Sequence, residues 1–359
     1  MELTKALLPT SVTLLAALLL SQTSFFTHRI PSLFKPSNPL HDAAVISYAE
    51  LTENAPATQQ RLLSSMSEYG LFFINQVPSY NASQELATLR SFFALPLDTK
   101  MELAVRKYRP GQRNVYRGYG PLVSATATQY KEMFNIGPHE TDYKPSSVDS
   151  DGSLEQFRAI GRERNVWPGS GDDAFDRHFR DVFSRGFATR RMLAQAVVRC
   201  IGEGLGHPEL EERFTEHEFS TLGLRRYPAR GGAAGRLTEL EHEDSTVTIL
   251  STFQNPGLEA LYGADYWDVP PSGEGFVVNI GTLIADITDG RVKAVRHRVR
   301  QIEKERFSIP FFFNPSFDAD IGTSLTGRRT RAGERHRIFG EWMREYLPGV
   351  EPGLLGKTP

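Results

Sequence analysis

The chain has 359 residues, of which 40% are hydrophobic and 11% aromatic, so it can bury the core of one large domain. Its formal net charge of −2 excludes a bulk basic field for nucleic acid or for an anionic membrane surface. A single cysteine, Cys200, excludes an intrachain disulfide framework and a cysteine-rich zinc site. The sequence shows no internal repeat and no glycine motif of the phosphate-binding or dinucleotide-binding kind.

The first 30 residues carry a hydrophobic segment that we interpret as separate from the fold. Residues 6–20 are uncharged and largely apolar, and the run extends with polar interruptions to residue 26. It is shorter than the ~20 residues of a membrane span and suits the hydrophobic region of a signal peptide. We expect a secretory signal, a membrane anchor through residues 6–26 or an organelle-targeting segment, and a cytoplasmic protein if none of these operates.

Residues 43–140 are predicted to form a mixed α/β region. Short apolar runs predict strands at residues 45–48 and 71–75, and apolar residues at helical spacing predict helices at 58–69 and 83–94. A stretch rich in glycine and aromatic residues follows. Glycine lets a backbone approach a ligand closely, so this stretch is a candidate for binding.

Residues 141–172 are polar and are expected to lie at the surface. After them, a 3.6-residue apolar period predicts a long helix over residues 173–204, which a group of glycines ends. The bulky apolar face of this helix favours packing along the core. Cys200 lies within it in an apolar setting, which is typical of a buried filler and not of a nucleophile.

The residues with the most specific chemistry lie between positions 240 and 314. His242 and Asp244 are two residues apart, so on an extended strand both side chains leave the same face and can hold one ion. His297 follows far enough along the chain to cross a barrel and return beside them. Two imidazoles and one carboxylate suit iron(II), since three ligands on one octahedral face leave three positions open.

Each of these residues has a more ordinary interpretation. A His-x-Asp pair occurs by chance in many chains, and an isolated histidine between two arginines is more often solvated. The surrounding sequence favours the metal site, because strand-like apolar runs bounded by turn signals enclose it, at residues 245–253, 275–280 and 307–313.

Arg306 and Ser308 repeat the two-residue spacing on the last of these runs. A guanidinium beside a hydroxyl on one face makes a bidentate seat for a carboxylate. The carboxylate that fits this interpretation is the distal end of 2-oxoglutarate, whose other end would chelate the iron. The alternative is an ordinary surface arginine.

A cluster of four arginines precedes the first candidate ligand: Arg225, Arg226, Arg230 and Arg236. A solvated basic loop is the default interpretation. The more specific one is a pocket rim that favours an anionic substrate, either amino-acid-like or a polycarboxylate.

From about residue 45 to its end, the sequence resembles the 2-oxoglutarate/Fe(II)-dependent dioxygenases of the isopenicillin N synthase-like superfamily. The matching phrases are WDVPP at 267–271, GFVVNIGTL at 275–283, TDGR at 288–291, HRV at 297–299 and RFSIPFF at 306–312. The resemblance implies a mainly β fold with flanking helices, whose core is a double-stranded β-helix, or distorted jelly roll, with the metal at its open mouth.

The resemblance also implies roles for individual residues. It assigns His242, Asp244 and His297 to iron(II), and Arg306, Ser308 and Tyr227 to 2-oxoglutarate. The substrate candidates are Tyr116, Arg117, Tyr119 and Phe134, for which packing against the barrel is the open alternative, together with Arg225 from the arginine cluster.

One departure from the family pattern bears on the co-substrate. Relatives often carry Asn-x-Tyr-Pro where this chain has Arg225-Arg226-Tyr227-Pro228. Isopenicillin N synthase-like sequences also show Arg-Tyr-Pro, and that enzyme uses no 2-oxoglutarate.

The function that the resemblance implies is oxidation of a C–H bond of a small metabolite in specialised metabolism, with iron(II), 2-oxoglutarate and O2, and with release of succinate and CO2. Hydroxylation, desaturation and oxidative cyclisation all stay open. One alternative is an oxidase of the isopenicillin N or aminocyclopropane-carboxylate type, in which Arg306 and Ser308 hold the substrate's own carboxylate. The other is an inactive ligand-binding homologue.

We expect a monomer that acts on a small molecule and has no nucleic-acid partner. The expected divisions of the chain are a targeting or anchor segment (1–30), the N-terminal α/β region (43–140), a loop and long helix (141–215), the dioxygenase barrel (216–318) and a C-terminal capping helix and tail (319–359). Within the last division, apolar residues on one side predict an amphipathic helix over residues 336–350.

Overall fold

The alternation of side chains along strand β12 (Arg306–Phe313) separates the hydrophobic core from a cavity. Phe307, Ile309 and Phe311 are buried on the core face, where Phe311 packs against Phe187 of a long helix with ring centroids 5.0 Å apart. Arg306 and Ser308 lie on the other face and line the cavity. Alternate residues of β12 therefore face the core and the cavity, as the two-residue spacing of Arg306 and Ser308 predicts.

The computed structural model describes residues 37–78, 80–122, 130–138, 153–230, 236–351 and 354. The other strands in these ranges are β1 (Val45–Ser47), β2 (Leu71–Asn75), β3 (Gly118–Gly120), β4 (Glu132–Ile136), β5 (Thr221–Tyr227), β6 (Leu237–His242), β7 (Val247–Ser251), β8 (Leu258–Tyr262), β9 (Asp265–Asp268), β10 (Phe276–Ile280) and β11 (His297–Arg300).

The α-helices in the same ranges are α1 (Tyr48–Glu53), α2 (Pro56–Glu68), α3 (Ala82–Ala94), α4 (Leu97–Met101), α5 (Leu154–Gly161), α6 (Asp173–Gly204), α7 (Thr282–Ile287) and α8 (Phe339–Val350). Short 3-10 helices occur at Pro39–Asp42, Pro208–Phe214 and Ala332–Glu334. The predicted long helix at 173–204 is confirmed at both ends, and the predicted C-terminal helix begins three residues later than expected.

The strands form two sheets that enclose the cavity. The eight-stranded sheet has the order β1-β2-β10-β7-β12-β5-β4-β3, and the four-stranded sheet has the order β6-β11-β8-β9. Apart from the parallel pair β1–β2, the strand pairs are antiparallel. Side chains from both sheets line one cavity, so the sheets face each other as in the expected distorted jelly roll.

Helix α6 covers the core face of the large sheet. Asp172 caps its N-terminus by accepting hydrogen bonds from the backbone N–H groups of Ala174 and Phe175, at 3.0 Å each. Phe179, Phe183 and Phe187 follow at four-residue spacing, so they form one stripe, and they are buried against the sheet. This stripe packs against the core face of the large sheet, and the opposite face of the sheet lines the cavity.

Two residues that we predicted to bind the substrate, Tyr119 and Phe134, lie in the interior and not in the cavity lining. The Tyr119 hydroxyl donates to Glu132 Oε2 at 2.8 Å. The Phe134 ring packs edge-on against Phe92, 5.0 Å away. That prediction is wrong for both residues, and the alternative of packing applies.

Arg117 also differs from the prediction, because its side chain is fully buried away from the cavity. Its guanidinium donates to Thr221 Oγ1 at 2.5 Å and to the carbonyl of Glu218 at 2.9 Å. A side chain at Gly137 would overlap Arg117 Nε, so glycine there makes room for the guanidinium. Arg117 of the glycine-rich stretch at residues 114–122 is thus an internal residue and does not face the cavity.

The described residues from Pro39 onward form one compact unit, so the described parts of the divisions predicted from residue 43 onward belong to a single body. The predicted hydrophobic segment at residues 6–26 lies outside the described residues. Among the residues that are described, no helix combines the length and apolarity needed to cross a membrane.

Candidate metal centre

His242, Asp244 and His297 converge between the two sheets. His242 ends β6 and His297 begins β11, and the two are direct partners in the antiparallel pairing of these strands. Their Nε2 atoms lie 3.7 Å and 3.9 Å from Asp244 Oδ1, respectively. The three ligand atoms all lie within 4.8 Å of one another, which is the spacing that one shared metal ion requires.

Backbone carbonyls orient both imidazoles. His242 Nδ1 lies 2.7 Å from the carbonyl oxygen of Leu240, and His297 Nδ1 lies 3.1 Å from that of Val295. A carbonyl can only accept, so each Nδ1 carries the proton and each Nε2 presents its lone pair to the shared point. Hydrogen bonds of this kind fix the tautomer and the ring orientation of a metal-binding histidine.

The carboxylate of Asp244 is divided between two tasks. Its Oδ2 accepts hydrogen bonds from Thr248 Oγ1 at 2.6 Å and from Asn279 Nδ2 at 2.8 Å. Its Oδ1 faces the two imidazoles and is left for an ion. Thr248 and Asn279 come from β7 and β10 of the large sheet, so they tie the aspartate to the sheet opposite its histidine partners.

Electrostatics at the site favours the protonation states that bind a metal. Burial alone would raise the pKa of Asp244, but the two imidazoles and the two hydrogen bonds outweigh it and hold the pKa below its ordinary value. Burial lowers the pKa of His297. The site therefore presents a carboxylate and a neutral His297 imidazole at neutral pH, and this N,N,O donor set fits iron(II).

A second polar group lies on the facing sheet. Arg306 pairs with Tyr227 and Ser308 pairs with Arg225 across β12 and β5, so the four side chains share one face, and all four line the cavity. Arg306 Nη1 donates to Ser308 Oγ at 3.3 Å, and its guanidinium carbon lies 4.9 Å from the centroid of the Tyr227 ring. This arrangement brings together the three residues that the resemblance assigned to 2-oxoglutarate.

Arg306 is a buried cation that lacks an anion. It is 2% exposed, and no carboxylate among the described residues forms an ion pair with it. Burial lowers its pKa, and Tyr227 and Glu239 oppose that effect. A guanidinium stays protonated in proteins, and a buried charge without a partner is costly, so the carboxylate of a ligand would complete this site.

The arginine cluster does not act as a single rim, since only one of its four members lines the cavity. Arg226 points to the opposite face of β5, where it donates to Glu132 Oε1 and Glu305 Oε1 at 2.6 Å each. Arg230 lies over the ring of Tyr130. The predicted rim is therefore wrong for Arg226, Arg230 and Arg236, and Arg225 alone faces the site. At the departure from the family pattern, Arg225 stands at the Asn position and faces the cavity. Arg226 of the Arg-Tyr-Pro is salt-bridged on the opposite face of the strand.

The C-terminal helix α8 supplies a wall that we did not predict. We expected it to cap the core, and Phe339, Met343 and Leu347 do belong to the hydrophobic core. Met343, Tyr346 and Leu347 also line the cavity, which we did not expect. The Tyr346 ring stacks on Trp342 with centroids 4.3 Å apart. The spacing of Met343, Tyr346 and Leu347 could have shown that they share one face, but not that this face meets a cavity. Lys131, Glu239 and Glu351 also line the cavity and were not predicted.

Tyr116, one of the predicted substrate residues, lines the cavity. The Glu163 carboxylate holds the backbone of the loop that carries Tyr116. One Glu163 carboxylate accepts hydrogen bonds from three successive backbone N–H groups, those of Val115, Tyr116 and Arg117, at 2.7, 3.0 and 2.9 Å. Burial of the carboxyl group raises the pKa of Glu163 to about 7, against the effect of these hydrogen bonds. Glu163 is thus a positioning residue for one side of the cavity.

Known proteins share both the sequence pattern and the fold. The model of the 2OG-Fe(II) oxygenase superfamily matches residues 219–315, and that of the N-terminal region of non-haem dioxygenase in morphine synthesis matches residues 43–168. Isopenicillin N synthase of Flavobacterium sp. (strain SC 12,154) is 31% identical over 269 residues, which cover 67% of this chain and 76% of that protein. The chain belongs to the 2OG-Fe(II) oxygenase superfamily.

Other relatives of this oxygenase agree. The 2-oxoglutarate-dependent dioxygenase caaD of Aspergillus niger is 31% identical over 303 residues, which cover 79% of this chain and 86% of that protein. A full-length Neurospora crassa protein, solved in complex with alpha-KG, superposes with a TM-score of 0.68 at 20% identity, over 86% of this chain and 97% of that one. The protein is therefore an oxidoreductase with the jelly-roll fold, and its family's metal is iron(II) and its co-substrates are 2-oxoglutarate and O2.

We predict that Asp244→Ala and His242→Ala abolish iron binding and reduce turnover below about a tenth of the wild-type rate, because each removes one of three ligands. Asn279→Ala should weaken iron binding by ~10–100-fold, since it removes a hydrogen bond that orients Asp244. The measurement is iron content after anaerobic loading and desalting. Glu241→Ala is the matched control, because Glu241 lies on the same strand but pairs outward with Arg296. Wild-type iron content in Asp244→Ala would show that the ligands are assigned wrongly.

The raised pKa of Glu163 predicts that the stability of the folded protein depends on pH. Its folded-state pKa of about 7 lies above the ordinary 4.5, so between these values the folded protein holds a proton that the unfolded chain releases. That contribution to stability is complete below pH 4.5 and is lost as the pH rises through about 7.

We therefore expect the free energy of unfolding of the wild type to fall, relative to that of Glu163→Gln, between pH 4.5 and about 7. Urea denaturation across this range measures the difference. Glu155→Gln, at an exposed position in α5, is the control and should show a constant difference from wild type. A constant difference for Glu163→Gln as well would contradict the account.

Proposed function

We propose that this oxygenase oxidises a C–H bond of a small carboxylate-bearing metabolite in specialised metabolism, and that Arg306, Ser308 and Tyr227 hold its 2-oxoglutarate. The observation that carries the proposal is the placement of the buried Arg306 guanidinium, which forms no ion pair with any described carboxylate, beside three convergent metal ligands in one cavity. One molecule with a carboxylate at each end can satisfy both groups at once, which is the chemistry of 2-oxoglutarate.

Iron(II), when bound at this site, supplies the activation of O2 that is coupled to conversion of 2-oxoglutarate into succinate and CO2. The residues of the chain do the rest of the work. His242, Asp244 and His297 hold the metal on one side and leave the cavity side open. Arg306 would fix the co-substrate by its distal carboxylate, and Met343, Tyr346 and Leu347 of α8 form part of the cavity wall. We also propose a monomeric enzyme, because one chain is enough to bring the three metal ligands and the carboxylate seat together.

The cavity limits the substrate to a small molecule. Its volume is about 330 Å³, at the lower end of the range for small-molecule sites. Other relatives are consistent with this size class, such as the clavatol oxidase claD of Penicillium crustosum, which is 27% identical over 81% of this chain and 90% of that protein. Whether hydroxylation, desaturation or cyclisation results depends on which C–H bond the cavity presents to the metal.

The similarity to isopenicillin N synthase favours one second candidate. In an oxidase of that type, Arg306 and Ser308 would hold a carboxylate of the substrate itself, and no succinate would form. The two candidates share the metal centre and the fold, so only the fate of 2-oxoglutarate separates them.

We also infer that the hydrophobic segment at residues 6–26 directs the protein to the secretory pathway, a membrane or an organelle. The support is its uncharged apolar composition and the prolines that separate it from the folded body. A fluorescent fusion of the full chain should localise to membranes or to an organelle, and one that lacks residues 1–30 should be diffuse. Identical distributions of the two fusions would contradict this proposal.

We predict that Arg306→Gln raises the 2-oxoglutarate concentration for half-maximal succinate formation by ~10–100-fold, because it removes a charge-assisted pair. Arg226→Gln is the matched control, since Arg226 lies on the neighbouring strand but pairs with glutamates on the opposite face. Succinate is measured in the iron-loaded protein over a range of 2-oxoglutarate concentrations. An absence of succinate from the wild type would favour the oxidase, and an unchanged requirement in Arg306→Gln would move the carboxylate seat elsewhere.

A further inference from the structure

Arg225 is a second cation in the cavity, on the same face of the large sheet as Arg306 and directly opposite Ser308. It is 8% exposed, and its Nη1 donates to Asn135 Oδ1 at 2.9 Å and to the carbonyl of Leu224 at 3.2 Å. A side chain at Gly223 would lie 2.7 Å from the guanidinium carbon, so glycine leaves the space in which the guanidinium lies. The side chain is therefore built into the cavity floor and is not a mobile surface arginine.

These partners of Arg225 are neutral. Among the described residues, no carboxylate lies within ion-pair distance of its guanidinium, whereas its neighbour Arg226 has two. The charge of Arg225 helps to lower the pKa of Glu239, but the Glu239 carboxylate is already paired with Lys131. Arg225 thus has donor groups and a positive charge that none of the described carboxylates neutralises by an ion pair.

A charge of the opposite sign lines the same cavity at the end of α8. Glu351 has no ion-pair partner among the residues that the structure describes. The positive charges of Lys131, Arg225 and Lys107 nevertheless act to lower its pKa. Burial raises the pKa of Glu351, and these cations oppose that effect without cancelling it. A cation placed directly against this carboxylate would stabilise its charged form.

We propose that Arg225 and Glu351 together bind a zwitterionic substrate, an amino acid whose carboxylate lies against Arg225 and whose ammonium lies against Glu351. The two side chains face one cavity but do not pair with each other, so a ligand that carries both charges can bridge them. The inference rests on the proposed function, because it names the substrate of the same site.

The rest of the lining fits the other parts of such a molecule. Tyr116, Met343, Tyr346 and Leu347 supply an apolar surface beside the two charges. The pair Lys131–Glu239 is neutral as a unit and does not compete for either end of the ligand. A dicarboxylate would bring a second negative charge towards Glu351, and an uncharged molecule would leave Arg225 without an anion, so the zwitterion satisfies the cavity best.

The experiment uses the iron-loaded full chain and measures how added compounds stimulate succinate formation from 2-oxoglutarate. The compounds are free amino acids with apolar side chains, among them valine, leucine, methionine and phenylalanine, each compared with its N-acetyl derivative and its carboxamide. In the wild type, the free amino acids should stimulate at concentrations at least ~10-fold below those of both derivatives, since each derivative lacks one charge-assisted contact.

Variants then assign each charge to a residue. Arg225→Gln should remove the preference for the free acid over the carboxamide and keep the preference over the N-acetyl derivative. Glu351→Gln should do the reverse. If a residue had a merely structural role, its substitution would weaken the stimulation by all three compounds of a set alike and leave the preferences unchanged. Melting temperatures check that both variants fold.

The outcomes also separate this inference from the proposed function. Succinate formation without any added compound supports the oxygenase by itself. If that basal activity is present but no free amino acid stimulates it, or if amides stimulate equally well, the zwitterion site is wrong and the oxygenase stands. If the wild type forms no succinate under any condition, the proposed function fails as well.

Discussion

The antiparallel pairing of β6 with β11 is the constraint on which the site depends. It places His242 directly opposite His297, although the two are far apart in the sequence, and it leaves both rings at one end of the small sheet. Asp244 lies two residues after His242 and reaches the same point from the segment that leads into β7. A shift of this register by one residue would turn a ring to the other face and break the ligand set.

The large sheet supplies the other half of the site by the same principle. Its cavity face carries Asn279 and Thr248, which orient Asp244, and also Arg306 and Ser308, which face the cavity without an anion of their own. Burial is costly for the two charged groups, Asp244 and Arg306. The surrounding residues outweigh that cost for Asp244, whereas for Arg306 they oppose it only in part. The site is thus preorganised for a metal and for anionic ligands, and their binding would complete its electrostatic balance.

Local spacing in the sequence predicted the parts of the site that one strand can place. The two-residue spacings in His242-x-Asp244 and Arg306-x-Ser308 fix a shared face without reference to any other strand. The meeting of His297 with His242 depends on pairing between distant strands, and only the resemblance to a family could supply it. The individual strands and the long helix were predictable in the same way, because their sequences carry strong periods. Their arrangement into a jelly roll does not follow from these periods, and only the resemblance to a family supplied it.

The wrong predictions concern residues whose direction is set by distant contacts. Tyr119 and Phe134 lie on short strands, and their pairing partners decide which side meets the core. Arg226 and Arg225 are adjacent in the sequence, yet Arg226 forms ion pairs on one face of β5 and Arg225 lines the cavity on the other, because side chains alternate along the strand. Glu351 and Tyr346 were missed, since a helix pattern does not show whether its apolar face meets a core or a cavity.

The most direct test of the account is a crystal structure of the protein, grown anaerobically with iron(II) and 2-oxoglutarate. The account predicts one iron bound by the Nε2 atoms of His242 and His297 and by Asp244 Oδ1. It also predicts that the distal carboxylate of 2-oxoglutarate contacts Arg306 and Ser308. Iron bound without Asp244, or a distal carboxylate placed away from Arg306, would contradict it.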